Sequence, residues 1–195
     1  MRKSRSLDAD YFEGLYRGDA DPWGFEASPY EAAKYDDTIA ALGDERASAA
    51  LEVGCSIGVL TRRLAGVCDR LLATELSPTA LRRAQARCAD LTGVEFRLAR
   101  SLTDGFERRY DLIVLSEVVY YWDAGDLSRV ASAIRKALLS GGRLLLVHWL
   151  GETDYPRSGD DAVLGLASEL AGLVRVELQE RRAEYRLDLW RRLED

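Results

Sequence analysis

The sequence predicts a doubly wound α/β fold, with a seven-stranded, mostly parallel sheet closed by an antiparallel C-terminal hairpin. Three observations carry this reading. Between residues 49 and 148, short apolar runs alternate with amphipathic stretches of helical period, the pattern of strand–helix–strand crossovers. Two of the runs, at 110–116 and 142–148, are almost continuously apolar, as strands covered on both faces must be. The period then changes. Val174, Val176 and Leu178 alternate with Arg175, Glu177 and Gln179, and after Arg181 and Arg182 the residues Tyr185, Leu187 and Leu189 alternate again. Two period-2 segments joined tightly make a hairpin on a sheet edge.

Taken in order, residues 1–27 are rich in aromatics (Tyr11, Phe12, Tyr16, Trp23, Phe25) and contain a turn at 18–22. They read as a lid rather than a separate domain. Ser28 then serves as N-cap, Pro29 as first helical residue and Glu31 as the return partner of a capping box. That helix runs to Leu42 and stops at Gly43, with Tyr30 and Lys34 on one face. Strands are expected at 49–53, 70–75, 93–98, 110–116 and 142–148, and helices at 57–66, 78–90 and 123–139. Ser77 and Pro78 open the second of these helices, and Gly141 and Gly142 close the third. The whole is one domain: a cap at 1–45, a ligand-binding core at 46–150, and a substrate-side helix and hairpin at 151–195.

With 195 residues, 47% hydrophobic and 31% charged, the chain has the composition of a globular protein with a full core. A net charge of −6 argues against nucleic acid as a partner. The pairs Arg62–Arg63, Arg82–Arg83 and Arg181–Arg182 read as solvated surface. Cys55, Cys68 and Cys88 show neither metal-ligand spacing nor a Cys-x-x-Cys pair, so no metal is expected, and reduced thiols suit a cytoplasmic protein. Cys55 reads as a small filler. The basic start at Met1–Arg5 is followed by Asp8, Asp10 and Glu13 instead of an apolar core, so it is no signal peptide. No apolar run approaches the ~18–20 residues of a membrane span.

The stretch Leu51-Glu52-Val53-Gly54-Cys55-Ser56-Ile57-Gly58 runs a strand through a small-residue turn into a helix. Such a turn brings backbone N–H groups and a positive helix end to one point, and its glycines let a ligand approach where a Cβ would clash. Ser56 stands where the dinucleotide fingerprint wants its second glycine, while Glu75 falls about 20 residues on, where such sites place a ribose-binding acid. A parallel sheet binds ligands outside the carboxyl ends of its strands. Those ends are Gly54 to Gly58, Glu75 and Leu76, Ala99 to Leu102, Ser116 to Val118, and His148 with Trp149.

On the 51–58 turn, Glu75, the run Tyr110-Asp-Leu-Ile-Val-Leu-Ser-Glu-Val118 and the run Gly141-Gly-Arg-Leu-Leu-Leu146, the sequence resembles the class I S-adenosyl-L-methionine-dependent methyltransferases over nearly its whole length. More narrowly, Asp21-Pro22-Trp23-Gly24-Phe25 with Tyr30, Glu31, Lys34 and Tyr35, and Glu117-Val118-Val119-Tyr120-Tyr121, resemble motifs of the nodulation-S-type N-methyltransferases. Those enzymes methylate the free amine of a deacetylated chitooligosaccharide.

The resemblance implies a Rossmann-like fold, the cofactor S-adenosyl-L-methionine and the product S-adenosyl-L-homocysteine. It implies that Gly54 and Cys55 pack under the methionine part of the cofactor, that Glu52, Gly58 and Val118 also belong to the cofactor site, that Glu75 accepts both ribose hydroxyls, and that Leu76 and Leu102 sandwich the adenine. Ser116 would offer its carbonyl, and Trp23, Tyr30 and Lys34 would cover the pocket, Lys34 pairing with the cofactor carboxylate. Arg100 stands where many relatives carry an adenine-binding acid, leaving Ser101 or Asp104 to replace it. Glu117 and His148 are the candidate catalytic bases for an amine acceptor. Tyr120, Tyr121, Asp154 and Tyr155 are candidate substrate partners. Tyr120 and Tyr121 read equally as rim aromatics, and Trp122 and Trp190 as packing. Two other readings stay open, a small-molecule O-methyltransferase and a catalytically silent cofactor-binding partner protein. Monomer and dimer are both compatible with the sequence.

Overall fold

The computed structural model describes residues 2–194. Its strands are β1 (Ala50–Val53), β2 (Leu71–Glu75), β3 (Val94–Leu98), β4 (Tyr110–Ser116), β5 (Leu138–Trp149), β6 (Val174–Arg181) and β7 (Tyr185–Arg192). The helices are α1 (Ala9–Gly18), α2 (Pro29–Ala41), α3 (Val59–Leu64), α4 (Pro78–Arg87), α5 (Ala124–Ala137) and α6 (Gly159–Glu169), with a short 3-10 turn at Val119–Tyr121. The strands make one sheet in the order β3-β2-β1-β4-β5-β7-β6. β1 to β5 run parallel, and β7 inserts antiparallel between β5 and β6.

Each face of the sheet buries an apolar layer. Leu51, Ile113, Leu115, Leu144 and Leu146 pack with Val130 and Ile134 of α5, Leu166 of α6 and Trp190. Leu112, Val114, Leu145, Val147, Leu187 and Leu189 pack on the opposite side with Tyr35 of α2 and Leu60 and Leu64 of α3. Trp122 and Trp190 are both buried, as packing residues should be.

Two details differ from the sequence reading. Gly141 and Gly142 do not close a helix. α5 ends at Ala137, β5 begins at Leu138, and the glycines, with Gly141 at φ +71°, lie within β5. There the pairing jumps from Tyr110–Leu138 to Leu112–Arg143, an irregularity that a residue without Cβ accommodates. In the hairpin, β6 is the edge and β7 is interior. The charged residues Arg186 and Asp188 of β7 are buried under α6: they pair through two bonds of 2.8 and 2.9 Å, and Arg186 also donates to Asp160 of α6 at 2.8 Å.

The N-terminal segment is fixed to the core by polar contacts. The Glu13 carboxylate accepts from Ser77 Oγ at 2.6 Å, Thr79 Oγ1 at 2.7 Å and Thr79 N–H at 3.1 Å. The Ser77 bond is the foremost cause holding that carboxyl down at about 2. Arg83 of α4 donates to the carbonyls of Tyr16, Asp19 and Ala20 at 3.0–3.2 Å, satisfying groups that the end of α1 leaves open. Ahead of α1, Lys3 and Leu7 donate backbone N–H groups to Asp154 and Tyr121. These contacts place Leu7, Phe12, Tyr16 and Trp23 along the carboxyl ends of the strands.

Candidate active site

A cavity of about 420 Å³ opens outside the carboxyl ends of β1, β2, β4 and β5, under the N-terminal segment. Among the residues expected at the site, Trp23, Tyr30, Lys34, Glu52, Gly54, Cys55, Glu75, Leu76, Ser101, Leu102, Ser116, Glu117, Val118, Tyr120, Tyr121 and Tyr155 line it; Gly58, His148 and Asp154 do not. Gly54 has φ +75°, and a Cβ there would come within 2.6 Å of Val118 Cγ1. Gly58 serves packing instead: a Cβ would meet Ala84 Cα at 2.9 Å, so it lets α3 cross α4 closely. Ser56 and Glu117, at φ +52° and +58°, are the non-glycine residues in the left-handed region among the described residues. Both line the cavity. Such strain persists where surrounding contacts over-determine it, commonly at functional sites.

Ser56 is over-determined by its neighbours. Its N–H donates to Glu75 Oε2 at 2.8 Å and its hydroxyl shares a bond of 2.5 Å with Tyr16. Glu75 Oε1 accepts the Ser77 N–H at 2.8 Å. Burial raises the Glu75 carboxyl above its usual range, partly countered by these N–H donors. Each oxygen keeps acceptor capacity toward the cavity. Glu52 accepts from Thr61 Oγ1 at 2.6 Å, and burial pushes it up to about 7. The Cys55 thiol is held well above its ordinary value by burial, which suits a filler rather than a nucleophile. At the Leu76–Leu102 end, Asp104 turns away. Its carboxylate accepts Arg100 N–H at 2.7 Å and Ser101 Oγ at 2.6 Å, and Ser101 is the polar residue that reaches the cavity wall.

Opposite lies a buried charge cluster. Lys34 Nζ sits 2.9 Å from both oxygens of Glu31 and 2.7 Å from Glu117 Oε1. Glu117 Oε2 accepts from Tyr120 OH at 2.5 Å and Trp149 N–H at 2.9 Å. One ammonium between two carboxylates leaves a net charge of about −1 in their ionised state. Burial pushes the Glu117 carboxyl up, but Lys34, His148 and the Tyr120 hydroxyl together hold the group below its usual range; Glu31 is pushed up by burial. Two expectations are corrected here. Lys34 is spent on internal carboxylates rather than free for a cofactor carboxylate. Glu31 completes only half a capping box: Ser28 Oγ accepts its N–H at 3.3 Å, while its side chain turns to Lys34.

The candidate base His148 is also displaced from its expected role. It is fully buried, its Nε2 accepts the Val119 N–H at 3.2 Å, and Nδ1 has no hydrogen-bond partner among the described residues. Burial pushes it down to about 4. An imidazole neutral at pH 7, with its acceptor nitrogen occupied and no access to the cavity, cannot take a proton from an acceptor. Asp154 lies outside the cavity wall, paired with Lys3 at 3.4 Å. Tyr120 stacks on Tyr155 with ring centroids 5.3 Å apart, and Tyr121 stands edge-on to Phe12 at 4.9 Å. Sequence reasoning missed Glu31 as a buried ion, Tyr16 as a strut for Ser56, and Glu184 as a wall residue, none of which a local spacing signals; Trp149 falls at a strand's ligand end in the sequence, with no role assigned to it.

These residues fit a nucleoside-bearing amino acid. The Gly54 turn is a cradle that a Cβ would fill, and Glu75 offers two positioned acceptors. Comparison with known proteins agrees. The family model for nodulation protein S (NodS) matches residues 15–146. Nodulation protein S of Rhizobium tropici is 29% identical over 167 residues, covering 82% of this chain and 69% of that protein. The Bradyrhizobium diazoefficiens protein is 32% identical over 116 residues, with 59% of this chain aligned to 54% of its length. Among solved structures, a putative methyltransferase from Pseudomonas syringae superposes with a TM-score of 0.74 at 34% identity, covering 84% of this chain and 99% of that one. The N-methyltransferase NodS from Bradyrhizobium japonicum WM9, in complex with S-adenosyl-L-homocysteine, gives a TM-score of 0.77 at 24% identity over 94% of this chain and 98% of that one, a likeness of fold. The chain belongs to the nodulation protein S (NodS) family and is a class I methyltransferase that uses S-adenosyl-L-methionine.

Proposed function

We propose that the enzyme N-methylates a small polar amine, an amino sugar of the deacetylated chitooligosaccharide kind, in the cytoplasm. The observation that carries this reading is the Lys34–Glu31–Glu117 cluster. It sets an ionised carboxylate of net negative surroundings into the wall of an otherwise aromatic cavity. Bound S-adenosyl-L-methionine supplies an activated methyl group on a sulfonium. Glu75 accepts the ribose hydroxyls, Leu76 and Leu102 flank the adenine with Ser101 at its polar edge, and Gly54, Cys55, Glu52, Ser116 and Val118 shape the methionine end. Trp23 and Tyr30 cover the cavity and exclude water.

In this reading Glu117 is an anchor, not a base. Three donors already hold it, and a carboxylate kept below its usual range accepts a proton poorly while remaining a strong hydrogen-bond acceptor. It holds an N–H of the amine so that the nitrogen lone pair points along the line of transfer, with Tyr120, Tyr121 and Tyr155 flanking the acceptor. The amine enters uncharged, and the methylated ammonium product gives up its proton to solvent on release. A hydroxyl acceptor needs a base in the transition state, and neither Glu117 nor the sequestered His148 supplies one. The expected result, with methyl-labelled S-adenosyl-L-methionine and deacetylated chitooligosaccharides, is a product whose NMR spectrum shows an N-methyl group and no O-methyl group. Fully N-acetylated oligomers should remain unlabelled. An O-methyl product would contradict the proposal.

A further inference from the structure

We propose that Trp149, Glu184 and Tyr30 form a second acceptor subsite at the cavity mouth, taking a polyhydroxylated ring with its C–H face against the indole. The subsite rests on the amino-sugar reading above. Its three residues come from the end of β5, the turn between β6 and β7, and the first turn of α2, and all three line the cavity.

The indole is exposed yet fixed. Trp149 is 36% exposed, but a Cβ at Gly151 would fall 2.0 Å from its Cζ2 and 2.3 Å from its Cη2, so the ring rests directly against the backbone of that glycine. The Trp149 N–H holds Glu117 Oε2 at 2.9 Å, and the neighbouring Leu150 N–H donates to the Glu184 carbonyl at 2.7 Å. The platform, the amine anchor and the hairpin turn are thus tied into one frame. An aromatic face kept in place and open to the cavity is suited to the flat apolar face of a sugar ring, which buries area without burying its hydroxyls.

Two polar groups flank the platform. Glu184 is exposed on its turn, where a carboxylate can accept from ring hydroxyls. The Tyr30 hydroxyl is buried and has no hydrogen-bond partner among the described residues. Burial raises it above its usual range, and the Glu117, Glu31 and Glu184 carboxylates add to the effect. It therefore stays a neutral donor, and a buried polar group without a partner costs free energy that a bound hydroxyl would recover. A ring on Trp149 lies beside the one whose amine Glu117 holds, so the subsite reads a neighbouring sugar of the same acceptor.

The test is the preference for chain length. Wild-type enzyme should show a lower KM for a deacetylated tetrasaccharide than for glucosamine. In Trp149→Ala the tetrasaccharide KM should rise about tenfold, the loss of one aromatic contact, while Trp149→Phe keeps most of the preference. Affinity for S-adenosyl-L-homocysteine, measured by calorimetry, should be unchanged in both. Glu184→Ala, at an exposed turn, should raise the same KM by a smaller factor and serves where Trp149→Ala does not fold. A preference that survives both Trp149→Ala and Glu184→Ala, or a wild type without one, overturns the subsite and leaves N-methylation standing. Failure of the wild type to methylate any amino sugar overturns that reading and the subsite together.

Discussion

Lys34→Met is expected to cost the protein about 3–5 kcal/mol of stability, the penalty for removing one partner of a buried ion pair. The side chain is 2% exposed, and its ammonium is held by Glu31 and Glu117. Methionine fills similar space, so the packing between α2 and the sheet is kept. Two buried carboxylates are then left facing each other without a counter-charge. Their only relief is protonation, so the loss should be larger at pH 8 than at pH 5. The double change Lys34→Met with Glu117→Gln removes one of the stranded charges and should recover a substantial part. Chemical denaturation of the three variants measures this. A loss below about 1 kcal/mol for Lys34→Met, the range of exposed pairs, would show that the cluster is solvated rather than buried.

The second large effect concerns acid. His148 is lowered from 6.5 to about 4 by burial. Its unfolded form binds a proton near pH 6.5 while the folded protein does not until about pH 4. The stability it contributes is thus present above 6.5 and lost as pH falls, about 3 kcal/mol in all. Glu52 runs the other way. Burial raises it from 4.5 to about 7, so its contribution is present below pH 4.5 and lost as pH rises through 7, again about 3 kcal/mol. The two slopes nearly cancel between pH 4.5 and 6.5. Glu52→Gln should therefore unmask the His148 slope, gaining stability relative to wild type as pH rises from 5 to 8. His148→Gln should unmask the opposite slope. Variant and wild-type curves running parallel across this window would contradict both assignments.

The fold was legible because its signals are local. Ser28 with Pro29 and Ser77 with Pro78 open helices where expected, the cap hydroxyls accepting from Glu31 and Ala80, and period 2 marks the hairpin. Gly141 and Gly142 misled because a helix running straight into a strand through Leu138 and Leu139 leaves no turn signal between them. That Gly54 and Glu75 face one cavity was legible for the same reason: they sit at fixed spacing across one strand–helix–strand unit. The charge cluster opposite was not. Glu117 reaches the Lys34–Glu31 pair from a distant part of the chain, and Arg186 with Asp188 alternate with apolar residues like a solvent face until α6 packs over them. His148 shows the sharpest limit. Successive strand residues point to opposite faces, so an uncertainty of one residue at the end of β5 decides which of two neighbours faces the cavity. Trp149 lines the cavity and His148 enters the core.

Calorimetric titration with S-adenosyl-L-homocysteine, on wild type and on Glu75→Ala, tests most directly whether this cavity is the cofactor site. Wild type should bind, and the variant should lose roughly 10- to 100-fold in affinity, the worth of charge-assisted hydrogen bonds to the ribose. Equal affinity in the two proteins, with Glu75→Ala folded by thermal unfolding, would contradict the assignment of the cavity and of every role derived from it.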